Sequence, residues 1–385
     1  MEIPASYIGR EQAFVKHTLL KSYLERLFVI VGQHAKKICY VDCFAGPWQE
    51  GGTDLSDTSI AISLNIIQKN RDFLRGRGHD VQFRALYIEK NKKAFNKLKN
   101  YLDTRKDSGL IIEAFHGEFY DLRDEILNWC GTEDFVFFFI DPTGWKDMIV
   151  PTLQRLLQRP NSEYLINFMY DFVLRFHKQE SYEDHMQDLL GEVPDTDKMI
   201  PKEKEAHIMR LYCNHLKGAA RSSQELPRCI YVKVPYPLKE RTEYCLVYVT
   251  RHAMGIKVFA EVSESLHSVK NEVMGQAKKD SRTAKSGQGE MSFGGTDVAD
   301  NEQIDLMTVK KYWLAKLSST PKRFGIIELA DILEATGWYP GDLQRAFGAL
   351  EAEGKVKNRD AMNKRRSKFV HFDANNNKGE QLVRL

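Results

Sequence analysis

The chain has 385 residues, with 42% hydrophobic and 28% charged residues. That is length for two or three domains and enough apolar material for a sizeable core, which excludes a disordered or fibrous protein. Formal net charge is only +3, but it is uneven: residues 305–385 hold 15 Lys and Arg against 10 Asp and Glu, so the tail is basic and the body slightly acidic. Such a tail points to a polyanionic partner. The six cysteines (Cys39, Cys43, Cys130, Cys213, Cys229 and Cys245) form no Cys-x-x-Cys pair. Several lie in apolar runs, so reduced, buried thiols in a cytoplasmic protein are expected rather than a disulfide frame or a metal site. The N-terminus has no basic-then-apolar leader pattern, and no apolar run is long enough to cross a bilayer, so no membrane association is expected.

In chain order, residues 14–31 place apolar side chains at helical spacing around Lys16, His17 and Lys21. Residues 38–42 (ICYVD) read as a buried strand that stops at Asp42 and enters a small-residue turn, Phe44-Ala45-Gly46-Pro47. Helical segments are expected at 58–68, 90–102, 122–129 and 149–157. They alternate with strands at 84–89, 110–116, 135–140 and 163–168. The fourth strand, FVFFFI, is apolar at every position and must be buried on both faces. Five strands alternating with helices predict an α/β fold with right-handed parallel crossovers. Asp42, Glu89, Gly117, Asp141 and Asn167 then fall just past successive strands, along the one sheet edge where such folds bind ligands.

Residues 171–220 are expected to be largely helical, and 229–234 with 244–250 to form a hairpin added to the sheet. Residues 256–273 read as a helix. The polar stretch 276–303 reads as a flexible linker or loop. The expected organisation is therefore a domain over 1–275, the linker, and a second domain over 304–385. In that tail, helices are expected at 305–316, 326–335 and 342–353. Strand-like 355–356 and 369–372 then flank a basic turn of Lys364, Arg365, Arg366 and Lys368, which together describe a winged helix-turn-helix. Gln344 and Arg345 lie on its third helix. The basic turn can neutralise phosphates of DNA or RNA, although short basic turns also occur simply as solvated surface.

The chemistry concentrates at the sheet edge. An acid after the second strand, Glu89, suits ribose hydroxyls. The turn after the first strand has only Gly46, and Pro47 offers no N–H, so it is a poor cradle for a diphosphate. A phosphate-free adenosyl cofactor, S-adenosylmethionine, fits it better. Asp141-Pro142 after the fourth strand can accept hydrogen bonds from an amine that receives a methyl group, and Trp145 is placed to stack on a base. Alone, an Asp-Pro pair can equally start a helix, with the tryptophan filling the core.

The segments Asp-x-Phe-Ala-Gly-Pro, Tyr-x-Glu-x-Asn and Phe-x-Asp-Pro resemble those of the three-Cys-motif partner (TcmP) family, which is similar to S-adenosylmethionine-dependent methyltransferases. The tail resembles the winged-helix domain at the end of such proteins. The first half is also similar, more distantly, to bacterial ribosomal-RNA adenine-N6 methyltransferases. The resemblance implies a Rossmann-like class I methyltransferase sheet of parallel strands plus a C-terminal antiparallel hairpin. It matches Lys16-His17 to the Lys-His pair on the leading helix of those enzymes, and implies cofactor contacts at His17, Asp42, Phe44, Ala45, Gly46, Ser59, Glu89, His116 and Gly117, and catalytic roles for Asp141 and Pro142, with Trp145 the residue expected to stack on the base. The pattern departs where Thr143 and Gly144 replace a proline and a tyrosine. Two functions follow as expectations: N-methylation of a base amine in nucleic acid, or a non-catalytic adaptor that delivers a radical S-adenosylmethionine-like, three-Cys-motif partner to nucleic acid.

Overall fold

The structure is a computed structural model that describes residues 4, 7–46, 58–105, 109–222, 226–236, 238, 241–286, 304–361 and 366–385. It divides into two compact units, Glu2–Arg251 and His252–Leu385.

The first unit is a seven-stranded sheet. Strands β1 (Lys37–Asp42), β2 (Gln82–Glu89), β3 (Ile111–His116), β4 (Phe135–Ile140) and β5 (Ser162–Phe168) run parallel. The hairpin of β6 (Arg228–Pro235) and β7 (Thr242–Thr250) completes it, with β7 antiparallel to β5. The order across the sheet is β3-β2-β1-β4-β5-β7-β6. This mostly parallel, Rossmann-like arrangement with a terminal antiparallel hairpin is the one expected from the sequence.

Period-two alternation decides which helices each strand residue meets. Val41, Ile88, Phe138, Ile140 and Ile166 join one core cluster. That cluster is closed by side chains of α4 (Arg123–Cys130), α5 (Val150–Leu157), α7 (Glu183–Leu190) and α8 (Pro201–Ala220). Within it Phe138 stacks on Tyr164 at 5.3 Å. The alternate residues face α1 (Glu11–Gly32) and its neighbour α2 (Ser59–Gly76). There Tyr23 meets Phe137 and Phe28 packs edge-on against Phe83. All six residues of β4 are buried, as its two-sided apolar pattern demands. The remaining helices of this unit are α3 (Lys92–Asp103) and α6 (Tyr170–Phe176), which follow β2 and β5. The six cysteines are all buried and unbridged. No helix among the described residues is long and apolar enough to cross a membrane.

Helix α2 starts where Thr58 accepts a hydrogen bond from Ala61 N at 3.2 Å. Thr58→Ala removes that cap and should cost about 1 kcal/mol, read as a lower urea midpoint at unchanged slope.

The second unit begins earlier than composition suggested. Helix α9 spans Ala253–Ser286 and packs on the helices that follow it, so the boundary falls at residue 252 rather than 275. Residues 276–286, expected to be flexible, continue that helix, and the rest of the expected linker lies outside the described residues. Helices α10 (Leu306–Lys316), α11 (Ile326–Thr336) and α12 (Pro340–Ala352) surround buried Trp313, whose indole N–H donates to Leu343 O. A three-stranded antiparallel sheet, β8 (Lys322–Phe324), β10 (Glu380–Arg384) and β9 (Val356–Asn358), completes the unit.

One expectation is corrected here. The partner of β9 is β10, not residues 369–372. Those four residues are instead held through side chains. Gln344 both donates to Val370 O and accepts from Val370 N, while buried Glu380 accepts from His371 N at 2.8 Å. Gln344 is thereby committed internally, and Arg345 pairs with Asp342 and Glu264.

Candidate functional site

Register puts the expected residues in one row. Asp42 on β1 lies level with Tyr87 on β2 and Phe139 on β4. Glu89 is paired with His116 across β2 and β3. Two residues beyond the Asp42 level, the edge therefore reads His116, Glu89, Phe44, Asp141 and Asn167, from β3 across to β5. Five separate strand ends are brought together by parallel pairing alone.

The turn after β1 is built around Asp42. Its carboxylate accepts from Phe44 N at 3.2 Å and from Ser59 Oγ at 2.7 Å, tying the turn to the start of α2. Ala45 N donates to Ile88 O at 2.8 Å, which draws the turn over the end of β2. Phe44 packs its ring 5.2 Å from Phe119. Gly46 then passes directly across Glu89: a Cβ there would lie 1.8 Å from Glu89 Oε2. Only glycine leaves room for that carboxylate.

Glu89 is 7% exposed, and its Oε1 accepts from Asn91 N at 2.6 Å. Asn91 in turn caps α3 through Lys93 N and Ala94 N. Gly117 N donates to Glu89 O at 3.2 Å, so the β3 turn is anchored to the same residue. Gly117 takes φ +155, and a Cβ there would press 3.1 Å against Leu122. His116 is exposed, its ring 5.0 Å from Phe95. His17 on α1 shares a 3.0 Å hydrogen bond with the Tyr7 hydroxyl.

Asp42 is completely buried, and burial pushes its carboxyl up to about 7. The Ser59 and Phe44 hydrogen bonds and Lys16 pull it down, while the Asp141 charge pushes it further up. A carboxyl raised in the folded state stabilises below its unfolded value near 4 and loses that contribution as pH rises through 7. The stability of the native protein relative to Asp42→Asn should therefore fall by up to ~4 kcal/mol between about pH 4 and pH 8. Urea denaturation of both proteins across that range gives the difference directly.

Asp141 is fixed from two sides. Asn167 Nδ2 donates to Oδ1 at 2.7 Å, and the Lys16 ammonium from α1 forms an ion pair with Oδ2. Pro142 behind it is buried. The sequence offers Lys16 as a helix residue in the Lys16-His17 pair and Asn167 as a strand-end residue. Their joint hold on Asp141 depends on α1 packing beside β4, which no local pattern encodes.

Trp145, expected to stack on a base, is packed among side chains of its own chain. It is 8% exposed, its ring lies against Phe172 at 5.5 Å, and His185 meets its edge at 4.3 Å. It belongs to an aromatic cluster with Tyr182 that closes the core beside β4. The basic turn of the tail is also changed. Arg366 forms an ion pair with buried Glu380 at 2.9 Å, and Lys368 is exposed. Lys364 and Arg365 lie outside the described residues, as does Pro47.

No protein-family model matches the chain. No curated protein sequence matches it either. Among solved structures, it is similar to the O-methyltransferase TomG from Streptomyces achromogenes, involved in tomaymycin synthesis and solved in complex with SAM. Identity is 13% and TM-score 0.31, over 60% of this chain and 79% of that one. It is also similar to PKMT2 from Rickettsia typhi, at 11% identity and TM-score 0.30, over 87% of this chain and 73% of that one.

Proposed function

We propose that this chain binds S-adenosylmethionine at the carboxyl edge of its parallel strands and directs methyl transfer to an amine held at Asp141. The observation that carries this reading is the cradle at Gly46. A buried carboxylate on the second strand is covered by a backbone with no side chain, and the sequence that follows, with Pro47 lacking an N–H, is a poor diphosphate cradle. Glu89 would take the ribose hydroxyls. Asp42, with Ser59, would hold the turn that faces the cofactor, and His17, Phe44, Ala45, His116 and Gly117 would line the remainder. Bound there, the cofactor supplies an electrophilic methyl group. Asp141 would accept hydrogen bonds from the amine and orient its lone pair, and Pro142 would fix the direction of the carboxylate.

The finer reading places the acceptor amine on a nucleic acid base. The tail supports it through its basic excess and its helix-strand-helix-helix-strand-strand order, which suits a winged helix. A member of the three-Cys-motif partner family would fit the same two units. A second reading, an adaptor without chemistry that brings a radical S-adenosylmethionine-like partner to nucleic acid, is favoured by one specific observation. Both oxygens of Asp141 are engaged within the chain, and Trp145 is packed away.

Asp141→Ala separates the two. An enzyme should keep cofactor affinity within about threefold and lose methyl transfer by 100-fold or more. An adaptor should keep its cellular activity. The assay is labelled cofactor with total cellular DNA or RNA, followed by nucleoside analysis; no label in any nucleoside removes the nucleic-acid acceptor.

A further inference from the structure

The two oxygens of Asp141 also define what kind of group this end of the site accepts. A carboxylate oxygen only accepts, so Asn167 must turn its amide N–H to Asp141 and its carbonyl Oδ1 the other way. Asn167 is 7% exposed, and that Oδ1 is buried with no hydrogen-bond partner. A buried carbonyl left unpaired is unfavourable and marks a position for a donor. On the other oxygen sits an alkylammonium, Lys16 Nζ, which also lies 5.9 Å from the centre of the Tyr244 ring. A carboxylate on one side and an aromatic face on the other is the chemistry that recognises alkylammonium groups.

We infer that Asp141, Asn167 and Tyr244 form a subsite for a primary alkylamine of the lysine type, and that Lys16 occupies it from within the chain until such an amine replaces it. The inference rests on the reading above only in taking Asp141 as the acceptor end. An ammonium carries three N–H donors. One not tethered to α1 has donors for both Asp141 Oδ2 and the Asn167 Oδ1 that Lys16 leaves unpaired. The occupant this favours is the side-chain ammonium of a peptide lysine, as an acceptor alongside the base amine proposed above.

The test uses the full chain without cofactor. Lys16→Met removes the ammonium but keeps a side-chain stem in place. Titrated with n-butylammonium in a calorimeter, it should bind at least tenfold more tightly than the native protein. Adding Asn167→Leu, or separately Asp141→Asn, should weaken that binding at least tenfold. The inference is overturned if Lys16→Met binds no better than native, or if only Lys16→Ala binds, because that amine would merely fill a hole. It is also overturned if Asn167→Leu, melting like its parent, binds equally well; should that variant unfold, Asp141→Asn decides by the same criterion. S-adenosylmethionine titrated into the same Lys16→Met protein keeps the two ideas apart. Cofactor bound without amine binding removes the subsite alone, whereas amine bound without cofactor binding removes the cofactor reading alone.

Discussion

Glu89→Ala should lower affinity for S-adenosylmethionine by about 100-fold or more, while thermal melting shifts only slightly. The carboxylate would accept from two ribose hydroxyls, and hydrogen bonds to a charged group contribute roughly 1.5–3 kcal/mol each. Losing both corresponds to at least two factors of ten in affinity. The folded protein loses less, because among the described residues the Glu89 carboxylate accepts from Asn91 N, and Asn91 keeps its own cap on α3. Glu89→Gln keeps one acceptor in the same place and should fall between the two. Isothermal calorimetry on the three proteins reads the series, and equal affinities would remove Glu89 from the cofactor site.

Gly46→Val should damage both binding and stability. Its Cβ would stand 1.8 Å from Glu89 Oε2, a separation no two non-bonded atoms hold, so the carboxylate or the turn must move. Moving the turn strains the Ala45 N to Ile88 O bond, and moving the carboxylate strains its bond to Asn91 N. Overpacking of this kind costs about 1–3 kcal/mol. The displaced carboxylate should also cost at least tenfold in cofactor affinity. A valine variant that binds and melts as native would mean that Glu89 does not rest where the structure puts it. The two substitutions act on one contact from opposite sides, so their effects on affinity should be markedly less than additive.

Much of the first unit was legible because its signals are local and repeated. β4 announces itself through six consecutive apolar residues, and the acids at the ends of β1, β2 and β4 follow their strands at once. Parallel pairing then converts strand order into a row without further information. What stayed hidden depends on packing between distant segments. The Trp145 side chain looks available in a polar loop, yet Phe172, Tyr182 and His185 come from sequence far beyond it. The extension of α9 through residue 286 was masked by polarity, although Lys, Ala and Gln are good helix formers. Residues 369–372 alternate as a strand does, but Gln344 and Glu380 satisfy their backbone in place of a ladder. Short β8, three residues with one buried, carries too little pattern to detect.

The most direct measurement is a pair of calorimetric titrations of the native chain, one with S-adenosylmethionine and one with ATP. The Gly46 cradle over Glu89, beside a turn unsuited to diphosphates, calls for stoichiometric binding of the first and none of the second. Heat from ATP alone, or from neither, would contradict it.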